Sequence, residues 1–242
     1  MSGFGEAGAK PRRFYRSVSV ELQESGRWAV MLDGRLVRTP AKALLALPSR
    51  TLADALAEEW DRQVGVIDAE TMHLTRLANV ALDRTPEARS AMAAEISRYA
   101  ETDLVCHLAE GPKVLRDRQE AAWRPLREWA GEALGVLLLP VEGVMAARQP
   151  PTSIEAVSTH ALTLDDFRLT GLAFGVGLFG SAVLALALER GRIGADEAFA
   201  ASRLDEAYQA EMWGSDEEAA ARTAHHALEA AALGLFLSKT DR

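Results

Sequence analysis

The chain is poor in the residues that build disulfide-bonded or metal-held domains. Cys106 is the only cysteine among 242 residues, which excludes an internal disulfide and any zinc site made of several cysteines. Positive charge is also in deficit, because 27 basic side chains stand against 35 acidic ones and the net charge is −8. Such a surface repels phosphate backbones and anionic lipids, so we expect neither nucleic-acid binding nor membrane insertion.

Several catalytic signatures are missing as well. The sequence contains no G-x-x-x-x-G-K-[ST] phosphate loop, no G-x-S-x-G nucleophile elbow and no H-E-x-x-H zinc motif. His225, His226 and Glu229 offer at most two ligands on one helix face, which is too few for a zinc site. Cys106 and His107 are sequence neighbours, so a helix would point them in different directions and a buried cysteine is favoured over a catalytic pair. We predict no enzyme activity, no cofactor and no metal.

One glycine motif needs an explanation, because "GVGLFG" at residues 175–180 matches the G-x-G-x-x-G fingerprint of dinucleotide-binding loops. That loop requires a preceding strand, and the residues before Gly175 do not alternate as a strand does. The same region, from Leu169 to Leu188, is 20 uncharged residues long and could span a bilayer on length alone. Its many small residues instead predict a helix buried inside protein, within a continuous helix over residues 165–190.

The first part of the chain has the pattern of a small β-meander. Apolar residues alternate from Tyr15 to Thr39, and Asp33-Gly34 predicts a two-residue turn between strands. Ser49 is a candidate N-cap for a helix that would cover one face of the sheet. Leu52, Ala55, Leu56 and Trp60 would form its apolar stripe, with Trp60 in the core.

From Thr85, a candidate helix cap, the pattern predicts helices, with one short extended pair within "VLLLPVEGVMAAR". The predicted helices cover residues 86–108, 114–134, 154–162, 165–190, 196–213 and 216–237. Strands come first and helices follow, so the fold class is α+β, a small N-terminal β-meander domain with a covering helix and then an all-helical C-terminal domain. We place the domains at residues 1–85 and 86–242 and expect residues 1–11 to be disordered.

The segment from Leu204 to Ala227 crowds acidic residues around two aromatic ones. Helix capping explains part of it, because Gly214 can end one helix in the left-handed conformation and Ser215 with Glu218 forms a capping box for the next. Capping does not explain a tryptophan surrounded by carboxylates, an arrangement typical of protein recognition. We expect Tyr208 to pack inward. The predicted partner-binding residues are Glu206, Gln209, Glu211, Trp213, Asp216 and Glu217.

Seven stretches in order resemble one known family. They are "RFYRSVSV", "VMLDGRLVRTPAKALLALP", "LAEEWDRQ", "IDAETMHLTRLANVALDR", "TDLVCHLAEGPKVLRDRQEAAWRPLREW", "GSAVLALAL" and "LDEAYQAEMWGSDEEA". They resemble the alpha-subunit assembly chaperones of the F-type ATP synthase, from about Arg12 to the end of the chain. The resemblance implies a β-rich domain followed by a helical domain, no cofactor and no enzymatic activity.

The resemblance also implies a partner. Such a chaperone would hold the free alpha subunit transiently until the beta subunit displaces it. We expect a monomer that is cytoplasmic in a bacterium, or located in the mitochondrial matrix in a eukaryote. The alternative from the residues is a small-molecule or nucleotide-binding enzyme with a pocket in the helical domain.

Overall fold

The structure is a computed structural model that describes residues 10–143, 145, 147–214 and 216–240. The chain divides into two compact units. One contains the described residues up to Asp83 together with Lys239 and Thr240, and the other contains the described residues of Arg84–Ser238. Strands precede helices along the chain, which confirms the predicted α+β class. The division into domains at residue 85 stays a prediction about which parts fold independently.

The sheet of the first unit has four strands. They are β1 Val18–Leu22, β2 Trp28–Leu32, β3 Arg35–Leu36 and β4 Ala46–Leu47. Antiparallel pairing gives the order β1-β2-β3, and β4 pairs with β2 as well. The turn after β2 has positive φ at both central residues, 49° at Asp33 and 75° at Gly34, as a two-residue hairpin turn requires.

Helix α1, Arg50–Asp61, packs on β1 and β2. The Ser49 hydroxyl accepts the main-chain N–H of Leu52, which confirms the predicted N-cap. Leu52 and Leu56 are fully buried, whereas Trp60 is half-buried, with its ring 5.9 Å from that of Tyr15.

A second helix in this unit, α2 His73–Asp83, was not predicted. Its N-terminus is capped from another element, because the Glu59 carboxylate on α1 accepts the N–H groups of Leu74 at 2.7 Å and Thr75 at 2.8 Å. Since the cap lies 15 residues earlier in the chain, no local sequence signal marks the start of α2. Expected disorder at residues 1–11 does not extend to Pro11, whose carbonyl accepts the N–H of Ile67, and residues 1–9 lie outside the described part.

The second unit is mainly helical. Its helices are α3 Thr85–Glu101, α4 Lys113–Leu134, α5 Pro151–Thr163, α6 Asp166–Phe179, α7 Ala182–Glu189, α8 Ala195–Ser202, α9 Leu204–Trp213 and α10 Glu217–Lys239. Pro125 lies inside α4. Thr85 does not cap α3, since its hydroxyl shares a hydrogen bond with that of Thr170 instead.

Two predictions for residues 86–148 of this unit are wrong. The helix predicted over residues 86–108 ends at Glu101, and the strand β5 His107–Leu108 pairs in parallel with β6 Val141–Glu142. Only one strand of the expected extended pair therefore lies in the "VLLLPVEGVMAAR" segment. The buried carboxylate of Asp103 accepts N–H groups from Val105 and Val183, which directs the chain away from the helix.

The G-x-G-x-x-G segment belongs to helix α6 and to its C-terminal turn. Gly175 lies inside α6, and Gly180, with φ 65°, ends the helix in the left-handed conformation. The predicted continuous helix over residues 165–190 is therefore wrong, because Ser181 starts α7 by capping Leu184. Among the described residues, no helix is long and apolar enough to cross a bilayer.

A buried ion pair joins α6 to α7. The Arg168 guanidinium donates to the Glu189 carboxylate, with 2.9 Å between Nε and Oε1, and His160 lies 2.9 Å from the other oxygen. Burial alone would raise the pKa of Glu189, but the hydrogen bonds from His160 and Arg168 hold this pKa below its ordinary value.

Candidate partner-binding surface

Helix α9 presents one face to the protein and another to solvent. Tyr208 is 8% exposed, so this aromatic packs inward as expected. Glu206, Gln209 and Trp213 are exposed. Because successive residues turn by about 100° around a helix, these three side chains fall within about 60° of one another. The structure brings half of the six predicted residues onto a single face.

The inner face of α9 is held by polar side chains of α4. Gln119, fully buried, donates to the carboxylate of Asp205 at 2.7 Å and accepts the N–H of Ala109 at 2.7 Å. One turn later the indole N–H of Trp123 donates to the carbonyl of Ala201, which lies in α8. Burial raises the pKa of Asp205; the hydrogen bond from Gln119 opposes this rise and the Glu206 charge adds to it.

Glu211 is exposed, on the side of α9 that faces α4. Its two carboxylate oxygens are 3.0 and 2.8 Å from one guanidinium nitrogen of Arg118 on α4. The same guanidinium stands 5.4 Å from the centre of the Tyr208 ring. Glu211 thus has a partner within the chain. Among the residues of the predicted surface, it is the one that fixes α9 against α4.

The corner between α9 and α10 depends on Gly214 and Asp216. Gly214 has φ 81° and ψ 162°, so the expected left-handed helix cap is wrong and the backbone adopts a conformation open almost only to glycine. The Asp216 carboxylate accepts the N–H of Ala219 at 2.7 Å and so caps α10. The predicted capping role of Ser215 lies outside the described residues.

Trp213 is 77% exposed, and it ends α9 directly before Gly214. Met212 beside it is 57% exposed. Glu217 starts α10 and is exposed as well. The exposed corner carries two large apolar side chains, and exposed carboxylates lie about two turns earlier on α9, at Glu206, and at the start of α10, at Glu217.

Sequence reasoning missed Arg118, Gln119, Asp205 and Met212. The first three brace α9, and one signal for them was available. Gln119, Trp123 and Arg127 occupy one stripe of α4 at helical spacing, and all three are buried. A glutamine and an arginine inside an apolar stripe indicate buried polar partners, although the sequence does not say which.

The candidate metal ligands and the candidate catalytic cysteine do not form a site among the described residues. His225 pairs with Glu229 at 3.6 Å, and no group of three or more metal-ligating side chains occurs among the described residues. Cys106 is buried, and burial, with a smaller effect from Asp103, raises the pKa of its thiol to about 12. A thiol held in its protonated form is a poor nucleophile.

A cleft of about 800 Å³ lies beside α3 and α5, where the alternative function would place a pocket. Its lining includes Ser97, Glu101, Arg148 and Gln149. The Ser97 hydroxyl donates to the carbonyl of Ala94, and the Gln149 amide bonds both main-chain groups of Leu139. Two of the polar lining groups are thus used by the chain's own backbone.

Comparison with known proteins gives one consistent family. The model of the ATP12 chaperone protein family matches residues 12–131. The crystal structure of Atp12 from Paracoccus denitrificans is similar with a TM-score of 0.88 and 42% identity, over 96% of this chain and 99% of that one. The Atu1473 protein of Agrobacterium tumefaciens gives a TM-score of 0.89 and 40% identity over 95% of this chain and 86% of that one. Protein atp12, mitochondrial, of Schizosaccharomyces pombe is 26% identical over 222 residues, 86% of this chain and 75% of that protein.

The α+β fold and the matched relatives define a protein of the chaperone class. More particularly, the chain belongs to the ATP12 chaperone family. This is the family that the sequence motifs resemble, so that prediction is confirmed. The chain is thus an ATP synthase assembly chaperone, with relatives in bacteria and in a mitochondrion.

Proposed function

We propose that this chaperone binds the free alpha subunit of the ATP synthase and holds it until the beta subunit takes over the same interface. A subunit awaiting its neighbours exposes apolar surface that would otherwise aggregate. The chaperone needs only to bind that surface more weakly than the native neighbour does. Displacement by mass action then releases the client without nucleotide hydrolysis, and no cofactor enters this cycle.

The observation that carries the proposal is the exposed Trp213 at the corner between α9 and α10. An exposed indole beside Met212 is a typical anchor for a protein partner, since aromatic side chains dominate the energetics of such interfaces. The carboxylates of Glu206 and Glu217 would set the register and accelerate association with a basic surface. Gln209 lies on the same face of α9 as Trp213 and contributes a hydrogen-bonding group.

The six predicted residues have different roles in this proposal. Trp213, Gln209, Glu206 and Glu217 contact the partner. Asp216 shapes the corner through its bond to Ala219, and Glu211 fixes α9 through Arg118. We further propose that the chaperone acts as a monomer, in the cytoplasm of a bacterium or in the mitochondrial matrix of a eukaryote.

Capture of purified alpha subunit by the immobilised chaperone tests the proposal. Trp213→Ala should weaken capture at least tenfold, because a central aromatic anchor contributes about 2 kcal/mol or more to binding. Phe14→Ala is the matched control, since Phe14 is 74% exposed and belongs to the other unit. Glu206→Lys should slow association at low salt, whereas Glu24→Lys, a reversal at an exposed position of the first unit, should not. Equal capture by Trp213→Ala and wild type would refute this surface.

Two further experiments test the release of the alpha subunit and the alternative function as a ligand-binding enzyme. Addition of beta subunit should release captured alpha subunit, whereas release that requires ATP would contradict displacement by mass action. In a thermal-shift screen, NAD, FAD, ATP and zinc should leave the melting temperature unchanged. A rise of several degrees with any of them would favour a ligand-binding enzyme.

A further inference from the structure

The two edges of the four-stranded sheet differ in length and protection. One edge is made of β3 and β4, which are two residues long each. The other edge is β1, five residues long and paired only with β2 among the described strands. Proteins usually protect long edges with proline, charged side chains or a bulge, and "VSVEL" contains no proline or lysine and a single charged residue, Glu21. Its register with β2 is continuous from Val18 to Leu22, so it has no bulge.

The main-chain groups of alternate β1 residues face away from the sheet. Asp33 donates its N–H to the carbonyl of Ser17, and Gln23 donates to that of Arg27, so the odd-numbered residues of this hairpin bond across it. By alternation, the N–H and C=O groups of Val18, Val20 and Leu22 point outward. Within the described part of the chain, no hydrogen bond to these outward groups is found.

A groove of about 450 Å³ runs between this edge and α1. Apolar lining comes from Val18 and Val20 on the strand and from Ala57 on the helix. The helix side also carries acidic residues at positions i, i+4 and i+7 of α1, together with one arginine. These charged lining residues are Asp54, Glu58, Asp61 and Arg62.

Two of the three carboxylates of the groove, those of Asp54 and Glu58, are available to a new partner, whereas Asp61 is held 3.0 Å from the mostly buried guanidinium of Arg13. Glu58 pairs with Arg62, and Asp54 pairs with Arg50 at 3.6 Å, but these side chains are more than half exposed. Exposed ion pairs of this kind contribute little to stability, so a partner's cations can replace their arginines. The rise of about 1.5 Å per helical residue separates successive acids by about 4.5 to 6 Å, close to the 6.6 Å between alternate residues of a strand.

We propose that the β1 edge accepts an extended basic segment of a partner protein as an added strand. Its main chain bonds the outward groups of Val18, Val20 and Leu22, and cationic side chains at alternate positions face Asp54 and Glu58. A second copy of this chain is disfavoured, because edge-to-edge pairing of two β1 strands would bring two acidic α1 faces together. This site lies in the first unit and is independent of the α9–α10 corner.

Binding of labelled peptides to the full chain tests the added strand. The probe is a fluorescein-labelled heptapeptide of alternating lysine and threonine, and its control has the same composition with the four lysines in one block. Non-specific attraction to an acidic protein treats the two peptides alike, whereas the proposed strand requires the alternation. We expect at least about tenfold tighter binding of the alternating peptide, the equivalent of one or two main-chain hydrogen bonds. Equal affinities would overturn the proposal.

N-methylation locates the main-chain bonds while leaving the protein unaltered. In one peptide the lysine amides are methylated and in another the threonine amides, and only one set can face β1. One peptide should lose binding by at least about tenfold and the other should bind within about threefold of the unmodified peptide. Loss through the lysine amides indicates an antiparallel added strand, and loss through the threonine amides a parallel one. Equal effects of the two modifications would overturn the proposal.

Protein variants then test the charges. Asp54→Asn with Glu58→Gln should weaken binding of the alternating peptide about tenfold. The control Glu24→Gln with Glu132→Gln, which removes the same net charge at exposed positions outside the groove, should leave it unchanged. Sedimentation of the wild type with and without the peptide checks the alternative occupant. A dimer that the peptide dissociates would show that β1 binds a second copy and would refute the basic partner.

Discussion

Two glycine-containing regions of the second unit have opposite relations to their surroundings. In α6, a Cβ atom added at Gly175 would lie 3.1 Å from a Leu233 methyl group and 3.3 Å from the Cβ of Ala185. At the corner after α9, a Cβ added at Gly214 would meet nothing within 4 Å. Gly175 is needed because helices pack closely there, and Gly214 because the backbone takes a conformation that other residues disfavour.

The same contrast explains the two most conspicuous sequence motifs. "GVGLFG" matches a known fingerprint, yet its first glycine serves packing and its last ends a helix. The Trp213-Gly214 corner matches no fingerprint, yet it exposes an indole that packing does not use. Residues that packing or helix termination already explains are poor candidates for a functional site. Substitutions should therefore lower the free energy of unfolding most in the buried ion pair and least on the exposed face of α9.

The largest effect is expected in the buried pair of α6 and α7. Arg168→Met should lower the free energy of unfolding by about 3–5 kcal/mol at neutral pH, because Glu189 would remain buried without its main partner. The pKa of Glu189 is held low in the folded chain, so its stabilising contribution is present above the ordinary value of 4.5 and disappears as the pH falls through the folded value.

The deficit of Arg168→Met should therefore shrink in acid. Urea unfolding of both proteins at pH 7 and pH 4 measures it, with Arg192→Met, at an exposed position shortly after α7, as the control. A deficit of the same size at both pH values would show that lost packing, and not the charge of Glu189, explains the effect.

An intermediate effect is expected from the glycines of α6. Gly175→Val should destabilise the chain by about 1–3 kcal/mol, because the new methyl groups would overpack the contacts with Leu233 and Ala185. Gly177 is the matched control, since it lies in the same helix with no atom within 4 Å of an added Cβ. Gly177→Ala should stabilise by about 0.4–1 kcal/mol through the unfolded state. Destabilisation by both substitutions would contradict the role of close packing.

Much of the fold could be predicted because its signals are local. The Asp33-Gly34 turn and the Ser49 cap depend on residues within four positions of each other, and both are confirmed. The errors occur where distant residues decide the local structure. Glu59 starts α2 from another helix, and Asp103 redirects the chain after α3 by bonding Val183, 80 residues away. Such partners leave no periodic pattern in their own segment.

The same distinction between local signals and distant partners applies to the candidate binding surface. Helical spacing correctly separated buried Tyr208 from exposed Trp213, because that distinction needs only the geometry of one helix. It could not show that Glu211 faces Arg118, 93 residues earlier in the chain. Whether the exposed face binds the alpha subunit stays a prediction.

A smaller effect is expected at the corner itself. Gly214→Ala places a side chain at φ 81° and ψ 162°, which should cost about 1–2 kcal/mol in backbone strain although the space is free. The strain can be relieved by local rearrangement, so hydrogen exchange should accelerate at the end of α9 more than in α6. Capture of alpha subunit should weaken with it. Unchanged exchange and unchanged capture would show that the corner does not depend on this glycine.

The smallest stability effects are expected for two charge reversals on α9, and their contrast tests which acids are free. Glu211→Lys would place two cations together at Arg118 and remove a half-exposed ion pair, which should cost up to about 1 kcal/mol. Glu206→Lys loses only the bond to Arg203 on the exposed face, and should change stability by less than about 0.5 kcal/mol. For binding we expect the reverse order: Glu206→Lys should slow association with alpha subunit at low salt, and Glu211→Lys should act mainly through the position of α9.

Arg118→Glu combined with Glu211→Lys restores the pair with exchanged charges and should recover both stability and capture. If the restored pair recovers stability but not capture, the Glu211 carboxylate itself contacts the partner, and the side of α9 that faces α4 is part of the binding surface.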